Sequence, residues 1–485
     1  MNLDMLDLDT GSLQFVLFGL IVALISNFGR SPAWRSAVLL ISSVMFVGIL
    51  AHDLFTLVPL AAFLLLSYCA LLLIERGVPR AMLLGSLSLV FAYIWLKKYT
   101  FLPHGIFLKS PYFTMGVSYI FFRVLALLFQ STAQNERRPI GFGRFLIYTL
   151  NFTTFISGPI QPYEDFANDQ FEKGPIGLGP RVVGLQLERI VRGFFKVNVL
   201  GALLLSVHDD ALAGLSQALS PSDRLFSGFE LAVVYPFFLY ANFSGYIDMV
   251  IALARLMRLR LPENFNRPFS ASSFLDFWNR WHITLSTWFK TYVYNPLLMS
   301  LARRVSSVAL RPFLGILCFF ITFFFVGIWH GRTSEFVIYG VLQGGGVSIN
   351  KLWQVSLTGA MGRKGYQVLS RSAVYIAFGR GLTFAWFAFT LFWLWADWGQ
   401  LRLVFTAVGG LGWVVIWLGI WCCATVILAA WEWLRTALLS IKSANGPVLA
   451  SRYARMVYAT ALGLAALVMT VLLNQPAPGI VYKTF

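Results

Sequence analysis

Charge is the scarcest property of this chain. Asp, Glu, Lys and Arg make up 12% of its 485 residues. A soluble domain carries about a quarter, so a soluble globular protein is excluded. Acidic residues are fewer still, 21 against 38 Lys and Arg. The four cysteines, Cys69, Cys318, Cys422 and Cys423, all sit in apolar stretches without metal-ligand spacing. That argues against a disulfide framework or a metal centre, and for thiols packed as small hydrophobes. The opening MNLDMLDLDTGS lacks a basic n-region and does not read as a cleaved signal peptide. No internal repeat or low-complexity segment is evident.

What the chain has is apolar length. Hydrophobic residues are 58% and aromatics 16%. A membrane-crossing helix needs about 20 mostly apolar residues. Candidates fall at about 11–28, 36–51, 54–74, 81–96, 112–131, 193–207, 229–256, 312–329, 335–351, 375–396, 403–434 and 456–473. The fold class is therefore an all-α polytopic integral membrane protein, with 11 or 12 transmembrane helices plus re-entrant or interfacial pieces. The run around 145–160 is apolar but broken by Gly158-Pro159. It reads as a re-entrant segment, which requires its backbone to be buried in protein.

Basic residues set the orientation. With both termini outside, nearly all Lys and Arg fall in inner loops. Lys97, Lys98, Lys109, Arg224, Arg332, Arg402 and Lys483 are the exceptions. This is the asymmetry of the positive-inside rule. The net charge of +17 then reflects topology and contact with anionic lipids. Spread over many loops, it does not form a nucleic-acid surface.

The inner loop 257–311 contains RLRLPENFNRPFSASSFLDFWNRWHITLSTWFKTYVYNPL. Pro262 and Pro268 keep its start irregular, and Ser272 or Ser273 can cap a helix. At 100° per residue, Phe274, Phe277, Trp278, Trp281, Leu285, Trp288 and Phe289 share one arc. The spacing predicts an amphipathic helix over 274–289, too polar to span, with His282 at the edge of the apolar arc. It is either an interfacial helix or one tucked into the protein with His282 lining a cavity.

The run FFITFFFVGIWHG, residues 319–331, ends on the second notable histidine. His330 lies at the far end of a span or in a short kink. It is either held structurally by a backbone carbonyl or is a functional group facing a cavity. Neutral imidazole can take and return a proton near physiological pH. Of the five histidines, His52, His104 and His208 fall in predicted outer loops and read as structural or solvated. No carboxylate or thiolate groups with His282 and His330, so no metal site is expected.

FWNRWHITLSTWFKTYVYNPL and VGIWHG, together with SGPIQPYEDF (157–166) and ANFSGYIDMVIALARLMRLRLPENFNRPF (241–269), resemble the membrane-bound O-acyltransferase family. The similarity is greatest to its bacterial branch of alginate O-acetyltransferases and teichoic-acid D-alanyltransferases. Two departures stand out: LMSLARR follows YNPL where a glycine-rich stretch is common, and Gln343-Gly344 stands where a second His-Gly is common.

The resemblance implies a ring of helices around a central funnel in a bacterial inner membrane. His330 would be the catalytic histidine and His282 its companion. Asp276, Asn279, Trp281, Trp329, Asn242, Ser244, Tyr246 and Asp248 would shape the funnel. An acetyl or D-alanyl group would pass from a cytoplasmic thioester to an extracytoplasmic hydroxyl on an envelope polymer, or to a partner acyltransferase. The donor would be acyl-CoA or a phosphopantetheinyl acyl-carrier protein, docking near Arg258, Arg260 and Arg267, with no bound cofactor. The competing class is a transporter or lipid-handling pore, disfavoured by the lack of repeats.

Residues 1–455 form the transferase-like part, and 456–485 a last span with a short outer tail, NQPAPGIVYKTF. That end resembles the small single-span peptide of teichoic-acid D-alanylation systems. The resemblance places Tyr482 and Phe485 at its motif positions and makes Tyr482 a candidate acyl relay. The plainer reading is a frayed terminus with an aromatic at the membrane surface.

Overall fold

A computed structural model describes residues 11–51, 53–132, 139–172, 176–217, 220–305, 307, 310–443, 446–447, 451–473 and 478–479. Tyr482, Phe485 and His52 lie outside them. The protein is an all-α polytopic membrane protein. Its only extended pairing among the described residues joins Lys442–Ser443 to Gly446–Pro447. Among the described residues seven helices are long and apolar enough to cross a membrane, and Leu13–Phe28, Ala81–Leu96 and Val117–Thr132 are shorter apolar helices.

The chain divides into two compact units, Met1–Asn198 with Asn242–Glu263 and Thr470–Phe485, and Val199–Ala241 with Asn264–Met469. The first contains α1 (Leu13–Phe28), α2 (Pro32–Ala51), α3 (Val58–Glu75), α4 (Ala81–Leu96), α5 (Val117–Thr132), α6 (Phe142–Leu150), α7 (Phe152–Phe155), α8 (Tyr163–Ala167) and α9 (Pro180–Phe195). The second opens with α10 (Ala202–Gln217). The long helix α11 (Pro221–Leu256) begins in the second unit and ends in the first. Then follow α12 (Phe274–Trp278), α13 (Ile283–Phe289), α14 (Asn295–Arg304), α15 (Arg311–Trp329), α16 (Ser334–Arg371), α17 (Ala373–Thr390), α18 (Phe392–Trp395), α19 (Trp398–Ser440) and α20 (Arg452–Leu473).

Burial sorts these helices. The most apolar window of α11 is 89% buried, against 22% for that of α19. So α11 is an interior helix, and α19 exposes apolar residues such as Leu411, Val426 and Ile427, as lipid contact requires. The α6–α7 region meets its condition, since every residue from Ile147 to Gln161 is buried. Arg123, fully buried on α5, donates to the carbonyls of Tyr148 (2.7 Å) and Thr149 (2.8 Å) and to Thr154 Oγ1 (2.9 Å). It thereby satisfies backbone groups that an interrupted helix leaves open.

Three expectations are corrected. The helix over 274–289 is broken into α12 and α13, because residues 264–266 take over its hydrogen bonds. Ile283 N–H donates to the Asn264 carbonyl (3.0 Å), and Asn266 N–H to that of Arg280 (2.9 Å). His208 is not in a loop: it is buried on α10, 3.2 Å from Asp209 and edge-on to Trp395. His-Asp-Asp reads as a loop, yet α10 continues through it to Gln217. Of the cysteines only Cys318 is buried, while Cys69, Cys422 and Cys423 are exposed on apolar helices.

Candidate active site

His282 occupies the break between α12 and α13. Its backbone is left-handed, φ 45° and ψ 52°, a conformation that costs a non-glycine residue about 1–2 kcal/mol. The side chain is fully buried. Its Nδ1 lies 3.3 Å from Asn264 Oδ1, which also accepts from Thr284 N–H (3.0 Å) and Thr284 Oγ1 (2.9 Å). Burial, and secondarily the neighbouring His330 imidazole, push the His282 pKa well below the usual histidine range. His282 is therefore a neutral imidazole at neutral pH.

His330 directly follows α15 and donates its backbone N–H to the Gly327 carbonyl at 3.1 Å. It is 1% exposed. The Trp329 ring lies 6.4 Å from that of His282 and 4.7 Å from that of His330. The Tyr339 ring packs edge-on to His330 at 5.5 Å.

The α15–α16 hairpin holds His330 in place through backbone contact. A Cβ on Gly327 would lie 2.0 Å from Gly340 Cα, and one on Gly340 would lie 2.6 Å from the Phe324 carbonyl. One on Gly344 would meet the Phe320 carbonyl at 2.7 Å. Only glycine permits this approach. Gln343, standing where a histidine is common, is fully buried and donates to Thr390 Oγ1 at 2.9 Å. It ties α16 to α17.

The other expected residues separate into distinct roles. Trp281 is buried against Phe265, Phe277 and Phe387. Asp276 is half-buried and pairs with Arg280 at 2.9 Å, and Asn279 is an exposed C-cap of α12. In the first unit, Asp248 is paired with Lys196 (2.8 Å), Arg189 (2.9 Å) and Arg192 (3.4 Å). Ser244 accepts from Lys196 at 3.2 Å. The Tyr246 hydroxyl accepts from Ser157 N–H at 3.4 Å. Asn242 is fully buried and donates to the Gly479 carbonyl at 3.3 Å.

The three arginines expected at a docking surface all have internal partners. Arg258 donates to Asn27 Oδ1 (2.7 Å) and the Ile176 carbonyl (2.8 Å). Arg260 grips Asp169 at 2.6 Å, and Arg267 donates to Glu432. Reading the sequence did not single out Asn264 or Tyr339. Asn264 is one of two asparagines in PENFNRPF, and asparagines between prolines read as turn residues. A cleft of about 670 Å³ lined by Trp353, Phe378, Trp417 and Trp421 lies in the second unit, and neither histidine lines it. Among the described residues no group of acidic, His or Cys side chains could hold a metal ion.

Two buried imidazoles thus pack beside one tryptophan, one at the end of the membrane-spanning α15 and the other in the break between α12 and α13. The family model for the membrane-bound O-acyltransferases matches residues 44–378. The chain belongs to that family. It is 30% identical over 246 residues to a teichoic acid D-alanyltransferase of Streptococcus thermophilus, covering 49% of this chain and 57% of that protein. It is 30% identical over 240 residues to a probable alginate O-acetylase AlgI of Pseudomonas syringae pv. tomato, covering 49% of this chain and 42% of that one. It is 33% identical over 209 residues to a peptidoglycan O-acetyltransferase of Helicobacter pylori, covering 43% and 37%. The matched stretch thus spans about half the length of such curated relatives, or less.

Proposed function

We propose that this protein is an O-acyltransferase. It moves an acetyl or D-alanyl group from a cytoplasmic thioester, acyl-CoA or an acylated carrier protein, to a hydroxyl of an extracytoplasmic envelope polymer. The observation that carries this reading is the buried His282–Trp329–His330 arrangement in a chain of this family. A hydroxyl is a weak nucleophile, so a base must take its proton as it attacks. His330 is that base. The test is thioester consumption by the purified protein in lipid nanodiscs, with the matching acceptor and the His330 variant described below.

The same reading includes an acyl relay through Tyr482. What supports it is the course of the tail: Pro478 is buried, and the next carbonyl, Gly479, meets the buried Asn242. Residues 478–479 are thus held against α11, which favours the relay over a frayed terminus.

Donor docking falls to exposed cations with no ion-pair partner among the described residues, Lys290, Arg303 and Arg304. Arg258, Arg260 and Arg267 are engaged by partners within the protein, although Arg260 is itself exposed. Reversing Arg303 and Arg304 to Glu is expected to raise the donor KM several-fold at low salt, with the difference closing at high salt. A tag-accessibility control is needed, because such reversals can alter topology. A KM unchanged at low salt, with topology intact, would remove these residues from donor binding.

The glycine contacts give a further expectation. Gly340→Leu must push α15 from α16, and a misplacement of about 1 Å costs catalysis about 100-fold. Gly359 lies on the same helix with nothing within 4 Å of an added Cβ. Gly359→Leu is expected to keep full turnover. Equal turnover by both variants would show that the hairpin does not set the position of His330.

A further inference from the structure

Asn264 presents one side-chain oxygen to three hydrogen-bonding groups: Thr284 N–H, Thr284 Oγ1 and His282 Nδ1. A backbone N–H can only donate. The atom opposite it is therefore the amide oxygen, since turning the amide round would set N–H against N–H. The amide keeps this orientation although its Nδ2 is buried without a partner among the described residues. The oxygen only accepts, so His282 Nδ1 must carry the hydrogen. A neutral imidazole has one N–H, so the lone pair sits on Nε2.

We propose that Asn264 is a positioning residue that fixes His282 in the Nδ1–H tautomer, so that His282 serves acyl transfer as a hydrogen-bond acceptor through Nε2. This rests on placing His282 in the acyl-transfer centre. It selects between two roles. A thioester carbonyl, or the oxyanion formed from it, needs a donor, and a lone pair on Nε2 repels both. His282 is therefore not the group that polarises the carbonyl. An acceptor suits a substrate group that brings its own N–H. The pantetheine arm, common to coenzyme A and to carrier proteins, has two amide N–H groups. His282 Nε2 accepts from one of them and orients the thioester for attack.

The test is direct because the chain has only five histidines. Protein uniformly labelled with 15N-histidine and reconstituted in lipid gives a small set of ring-nitrogen signals. Those of His282 are assigned by their loss in His282→Asn. The expected result is a protonated Nδ1 and an unprotonated Nε2. Asn264→Asp retains an acceptor-only oxygen and keeps that pattern. Asn264→Leu removes the acceptor, shifts the pattern and costs about 10–100-fold in kcat/KM for the donor, with the loss mostly in KM. An unprotonated Nδ1 in the wild type overturns the proposal, and so does an unchanged pattern and donor KM in Asn264→Leu. Full turnover by His282→Ala would instead overturn the placing of His282 in the acyl-transfer centre on which it rests.

Discussion

His330→Ala is expected to lower acyl transfer by at least about 10²–10⁴-fold, the usual contribution of a general base. The protein should still insert, purify and bind its donor. The reasoning follows the protons. In the proposed reaction the acceptor hydroxyl gives its hydrogen to the His330 imidazole while its oxygen bonds to the thioester carbon. The tetrahedral intermediate then collapses, the C–S bond breaks, and the imidazolium returns the proton to the departing thiolate. The ring must be buried to keep water from competing, and it is 1% exposed. It must also be held, and the Gly327 carbonyl, the Trp329 and Tyr339 rings and the α15–α16 hairpin do so. His330→Gln fills the same space without a proton-accepting ring nitrogen and should be as inactive as alanine. Wild-type turnover by either variant would end the role of His330 as base.

Much of this was legible in the sequence, for physical reasons. Apolar runs of membrane-spanning length announce themselves. A histidine at the end of one, such as His330, contrasts sharply with its surroundings. The burial of 147–161 followed from the rule that irregular backbone in a membrane must be covered by protein. What stayed hidden depends on contacts distant in sequence. The 274–289 periodicity is real, since Phe277, Trp281 and Leu285 are all buried. It could not reveal that residues 264–266 intercept the backbone hydrogen bonds and turn His282 into the left-handed region. Arg258, Arg260 and Arg267 read as a docking surface because a sequence displays charge but not its partners. Asp169, Asn27 and Glu432 are far away along the chain. Asn264 has the same character, its importance lying in a residue 18 positions on.

Tyr482→Phe is expected to abolish polymer acylation while leaving expression and donor binding unchanged. The substitution keeps the ring and removes one oxygen, so it separates chemistry from packing. The reasoning starts at α20, which ends at Leu473. The tail then returns, with Pro478 buried and the Gly479 carbonyl accepting from Asn242 Nδ2 at 3.3 Å. Asn242 is fully buried on an interior helix. Tyr482 follows Gly479 by three residues, within about 10 Å of extended chain. In the proposed relay its phenol oxygen attacks the thioester carbon, its proton passes to the catalytic imidazole, and the thiol leaves. The product is a phenyl ester. A phenol has a pKa of about 10, so it leaves more readily than an alcohol when the acyl group passes on to the polymer or a partner enzyme. Mass spectrometry of the wild-type C-terminal peptide should show the acyl adduct after incubation with donor. It should be absent from Tyr482→Phe and from His330→Ala. Asn242→Leu should reduce the adduct without removing it, because the tail loses an anchor but keeps its nucleophile. Normal polymer acylation by Tyr482→Phe would eliminate the relay and leave direct transfer from thioester to polymer.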